Sequence, residues 1–167
     1  MDYGEYWINH NHILVIGGAY SVDKYYRLYR KGLTEEDNNP KITGWFIDEQ
    51  LSKDEMKAAE FMYQYESFDF VFSHTCPFSF RPTDLFLNCI DQSKVDNSME
   101  LWLDKIKDKI NWSIWLFGHF HKDRLERPYV EQFYTDIENL NDIKKRWEKY
   151  TDTGETLFLD TSPNFYM

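Results

Sequence analysis

Trp112-Ser113-Ile114-Trp115-Leu116-Phe117-Gly118-His119-Phe120-His121 is the stretch on which the reading of this chain turns. Its first six residues are rich in aromatic and β-branched types, and such a short run predicts a buried strand. Gly118 permits a sharp turn and a close backbone approach at the strand end. Two histidines one residue apart then stand where open sheets bind ligands, just past the carboxyl end of a strand. Neutral imidazole is the commonest side-chain metal ligand. Gly-His-x-His after a buried strand therefore signals a metal site.

The pattern recurs at Phe68-Asp69-Phe70-Val71-Phe72-Ser73-His74-Thr75-Cys76-Pro77. Phe68 to Phe72 predicts a second strand, His74 falls at its end, and Pro77 stops continuation. Two such ends in a parallel or mixed sheet can converge, which gives a three-histidine constellation of His74, His119 and His121. A single histidine at a strand end is more often a hydrogen-bonded core or rim residue. The His119/His121 spacing behind a glycine is what lifts the pair above that reading.

Each of these strands follows an amphipathic segment. Ser52 and Glu55 form a capping box before Met56, Ala59, Phe61 and Met62, predicting a helix from about 53 to 65. Ser98 is the expected cap of a second helix, with Leu101, Trp102, Ile106 and Ile110 inward. Upstream, 5–8 and 12–16 read as strands joined by an Asn-His turn, and Ser21 as the cap of a short helix to Tyr29. Residues 32–43 and 78–97 read as loops. Downstream, 124–127 and 129–135 predict a hairpin turned at Pro128, 139–150 a helix, and 156–159 a short strand. Helix followed by strand, twice, supports an α/β domain. Residues 1–167 read as a single domain.

Composition narrows the classes. Net charge is −10, which argues against general nucleic-acid binding, since that needs a basic surface. It does not exclude a phosphoester substrate, because bound metals bring local positive charge. Two cysteines are too few for a disulfide scaffold, and a reduced, cytoplasmic setting is the simplest expectation. No segment is apolar over the length of a membrane span.

Other residues are candidate site components. His10 and His12 alternate with asparagine, which fits a solvated turn better than a metal site. Arg27 and Arg30 are weak substrate-binding candidates, since guanidinium recognises phosphate bidentately, and they fit the surface of a helix equally well. Asp23 and Lys24 follow the Gly17-Gly18 turn and could reach a phosphate. Cys76 reads as a small buried residue.

Trp115 to His121 resembles the last motif of the calcineurin-like metallophosphoesterases, and Phe72 to Pro77 resembles that family's lone-histidine motif. Ile13 to Lys24, with Gly44-Trp45-Phe46, is similar to a bacterial and phage branch of the family. The likeness runs from about residue 5 to about residue 137. It implies a partial αββα sandwich of mixed sheets flanked by helices, and a hydrolase acting as phosphatase or phosphodiesterase. It further implies two divalent ions (Mn, Fe, Zn or Ni) that activate a water as nucleophile, with His74 and His119 on one metal and His121 on the other. No side chain of this chain is assigned as the catalytic group.

The family pattern also opens with Asp-x-His, Gly-Asp and Gly-Asn-His, and none of these occurs here. The resemblance therefore implies the C-terminal part of such a domain. Without the bridging carboxylate and the oxygen ligands, hard cations are held poorly, and weak or single-metal binding is expected. The expected function is a metal-dependent phosphoester hydrolase, weakly active or inactive as this chain alone. The alternative is a non-catalytic binding module. An exposed strand edge invites pairing, either as a homodimer or with a separate N-terminal half.

Overall fold

A computed structural model describes residues 3–127 and 129–153. Its strands are β1 (Tyr3–Ile8), β2 (Asn11–Ile16), β3 (Ser67–Ser73), β4 (Asn111–Phe117), β5 (Arg124–Arg127) and β6 (Val130–Gln132). Its helices are α1 (Lys24–Lys31), α2 (Pro40–Thr43), α3 (Lys53–Tyr63), α4 (Ser98–Lys107) and α5 (Leu140–Thr153). The six strands form one mixed sheet in the order β1-β2-β3-β4-β6-β5. The inner four are parallel, and β1 and β5 are antiparallel edges.

Period-two alternation places successive side chains on opposite faces. Leu14, Ile16, Val71, Trp115 and Phe117 pack against Met56, Ala59 and Tyr63 of α3 and Met99, Trp102, Leu103 and Ile106 of α4. Ile13, Phe70, Ile114 and Leu116 pack against Ile143 and Trp147 of α5. The result is a three-layer α/β arrangement buried on both faces. This is why β2, β3 and β4 read as continuous apolar runs.

The expected Asn-His turn joins β1 and β2: Asn9 and His10 have φ values of 50° and 64°, the doubly positive pattern of a two-residue hairpin. Other expectations shift. The helix expected from Ser21 begins at Lys24. A short helix, α2, lies inside an expected loop because Asn39 caps it and Pro40 opens it. The capping box of α3 forms as read, but the helix stops at Tyr63. Ser98 is the first residue of α4 rather than its cap, Leu101 is exposed, and Ile110 lies beyond the helix. The true inner spacing is Met99, Trp102, Leu103, Ile106. The expected second hairpin strand is shortened to β6, while Pro128 and the expected strand 156–159 lie outside the described residues. No helix among the described residues is long and apolar enough to cross a membrane.

Candidate functional site

Register brings the three central strand ends level. Ile16 pairs with Ser73, and Ser73 with Phe117. Hydrogen bonds continue the pairing one residue further: His74 N–H donates to Ile16 O and Gly118 N–H to His74 O, each at 3.0 Å. The loops after β2, β3 and β4 therefore leave the sheet side by side. They border a cavity of about 510 Å³ whose lining includes His74, His119, His121, Asp23, Arg27 and Glu100.

The three sequence-predicted histidines meet here. The His74 and His119 ring centroids stand 5.2 Å apart, with the ring planes inclined at 66°. Two imidazoles on one tetrahedral ion, at N–metal distances of about 2.0–2.1 Å, would place their ring centres about 5 Å apart. Burial, then His74, then His121 push the His119 pKa down to about 4. His74 keeps contact with solvent, but the surrounding walls strip part of its hydration and His121 adds repulsion, so its pKa is lowered too. Both are therefore neutral at pH 7, the ligand-competent form.

His119 and His121 adopt φ values of 71° and 55°, which non-glycine residues seldom occupy. Gly118 itself is not among the residues of positive φ. Phe120 N–H bonds back to Gly118 O at 2.9 Å, closing a tight turn that forces His119 to positive φ instead. The His121 ring stacks on Tyr134, with centroids 4.8 Å apart. Tyr134 is itself held by Asp123, whose carboxylate accepts the backbone N–H groups of Tyr134, Thr135 and Asp136. The second histidine is thus braced by the loop that follows β6.

The other expected residues divide. Arg27 borders the cavity, but its guanidinium is engaged by Asp23 at 2.8 Å and by Gly44 O at 2.9 Å. Arg30 is exposed beside Tyr26 and is not part of the cavity lining. Lys24 lies over the rings of Tyr20, Tyr25 and Trp45 and pairs with Glu35, so it is a packing cation. His10 is exposed in its turn. His12 stacks on Trp7 and bonds Ser67 O and Glu5, a structural role. Cys76 is fully buried. Sequence reasoning missed Arg81, Asn97 and Glu100, which border the same cavity. The spacing of Met99 with Trp102 and Ile106 was the signal that would have placed Glu100 on the flank of the buried face of α4.

Among the described residues no group of three or more His, Cys, Asp or Glu side chains is placed to hold a metal ion. The donors do not fit a two-metal centre, because no carboxylate joins the imidazoles. They fit at most one ion shared by His74 and His119. No protein-family model matches the chain, and no curated protein or solved structure matches it.

Proposed function

We propose that this chain is a calcineurin-like metallophosphoesterase domain reduced to the imidazole part of its site. It binds a phosphoester in the cavity and turns it over weakly or not at all on its own. One observation carries the reading: His74, His119 and His121, at the ends of two adjacent parallel strands, border one cavity. A divalent ion at His74 and His119 would polarise a phosphoryl oxygen. The chain's own residues supply the rest. Neutral imidazoles offer lone pairs without charge repulsion, and the Asp23–Arg27 pair brings a fixed guanidinium to the rim. Leu85, Phe86 and Ile90 line part of the cavity with apolar side chains. The family's αββα sandwich would need a second sheet on the face that α5 covers here, so the reading keeps the mixed sheet flanked by helices and pairing through the open edge of β1.

The missing carboxylate favours a second reading, a non-catalytic binding module. Hydrolysis of a chromogenic phosphodiester with Mn²⁺, Ni²⁺ or Zn²⁺, run beside His119→Ala, separates the two. Metal-dependent turnover lost in the variant is the expected result for the hydrolase. Equal background rates in both proteins, with Zn²⁺ affinity also unchanged, would sink the metallophosphoesterase reading and leave the binding module.

A further inference from the structure

The long connection from β3 to α4 carries apolar side chains that the cores do not use. Leu85, Phe86, Ile90 and Val95 are each half-buried rather than sealed. None of the four belongs to either hydrophobic core, and all four border the histidine cavity. Apolar surface gathered on a concave wall, and still open to solvent, marks a ligand-binding groove.

Two contacts hold this wall against the histidines. Arg124 of β5 donates to both carboxylate oxygens of Asp84, at 2.7 and 3.1 Å. The Phe86 ring lies 6.2 Å from the Phe120 ring, inclined at only 19°. Phe120 stands between His119 and His121, is half-buried, and borders the cavity as well. The apolar wall and the histidine turn are therefore joined directly through two aromatic rings.

The charged groups around the cavity are already committed. Arg27 is engaged by Asp23 and Gly44 O. Arg81 donates to Asn97 Oδ1 at 2.7 Å and to Phe78 O at 3.3 Å. Glu100 is buried and accepts from Thr75. The wall thus offers apolar contact and no spare cation for a second anionic group. The cavity volume of about 510 Å³ is that of a small-molecule site, and a phosphoryl group at the histidines would fill only part of it.

We infer that Leu85, Phe86, Ile90, Val95 and Phe120 form a subsite for an uncharged aromatic group on the alcohol portion of a bound phosphoester. The inference rests on the phosphoester reading above and narrows its substrate class to aryl esters. A ligand ring gains by removing its own surface and that of the wall from water. It also gains from offset or edge-on contact with Phe86 and Phe120.

Calorimetric titration with Zn²⁺ present would compare phenyl phosphate with methyl phosphate, which share the phosphoryl group and differ in the ring. The wild type should bind phenyl phosphate about tenfold more tightly, the gain expected from covering one ring. Phe86→Ala, shown to be folded by circular dichroism, should cut that preference to about threefold or less. A second measurement needs no variant to fold. In NMR spectra of the wild type, phenyl phosphate should shift the ring protons of Phe86 and Phe120, and methyl phosphate should leave them in place. Equal affinities for the two esters in the wild type overturn the inference, as does a preference that survives undiminished in folded Phe86→Ala. If the esters bind equally and both lose affinity in His119→Ala, the phosphoester reading stands while the subsite falls. If neither ester binds, both fall together.

Discussion

His119 and His121 hold backbone conformations that cost L-residues about 1–2 kcal/mol each. Strain of this kind is kept where the surrounding structure over-determines it, and it clusters at functional sites. Comparing two substitutions at His119 isolates the backbone term. His119→Ala and His119→Gly both delete the imidazole, but only glycine relieves the left-handed strain. Urea unfolding should find the glycine variant more stable than the alanine variant by about 1 kcal/mol. Equal stabilities would mean that the turn stores no strain. Gly18 is the converse. Its φ is 98°, and a Cβ there would stand 2.9 Å from the Glu49 carbonyl oxygen. Gly18→Ala should cost about 1–3 kcal/mol, measured in the same way, and displace the loop that carries Asp23. The types of these residues were legible in the sequence. Their φ values were not, because the turn that sets His119 depends on a hydrogen bond closed only in the fold.

At the scale of elements, α3 and α4 show when local chemistry decides an end and when the site does. Ser52 accepts from Glu55 N–H, and the Glu55 carboxylate reaches back to the Ser52 backbone. All of this is local, so the sequence reading placed the start of α3 correctly. Ser52→Ala should lower stability by about 1 kcal/mol in urea unfolding. A loss below a few tenths would mean the cap is redundant. The start of α4 is different. Asn97 occupies the cap position, but its side chain accepts from Arg81 and donates to Val95 O rather than to the helix. Asp96 covers Ser98 N–H at 2.8 Å instead. Arg81 lies 16 residues earlier, so no local rule could have found that competition. The strands of the site were legible for the opposite reason. β3 and β4 are buried on both faces, and continuous apolar runs are what that burial writes into a sequence.

At the scale of the molecule, α5 is tied to the sheet by two charged contacts with opposite titration. Lys144 reaches Asp69 of β3 at 2.8 Å and Asn11 at 3.0 Å. Arg146 reaches Glu131 of β6 at 2.6 Å and Glu138 at 2.8 Å. Burial pushes the Asp69 carboxyl up, but hydrogen bonds from the Lys144 ammonium and the His12 backbone N–H outweigh it and hold its pKa below 3.8. Its contribution is complete above that ordinary value and is lost as pH falls through the lowered one. Burial wins at Glu131, whose pKa is raised despite Arg146, with Glu138 adding repulsion. There the native state binds the proton more tightly, so stability falls as pH rises through the raised value. Thermal unfolding against pH should show Asp69→Asn weaker than wild type at pH 7 and converging with it well below pH 3.8. Glu131→Gln should remove the loss on the alkaline side of the raised pKa. Parallel pH profiles for wild type and Asp69→Asn would show that the contact has no electrostatic part. Removing Arg146 leaves Glu131, only 6 % exposed, without its strongest partner. Breaking one side of such a buried pair costs about 3–5 kcal/mol, whereas replacing both partners by apolar residues is often near neutral. Arg146→Met should therefore be far more destabilising than Arg146→Met combined with Glu131→Leu, a coupling that chemical denaturation of the four proteins of the cycle would read directly. Additive losses would mean that the Arg146–Glu131 pair adds nothing to the hold of Ile143, Trp147 and Lys144 on the sheet. In that case the ion pair would set the position of the helix on the sheet rather than its stability.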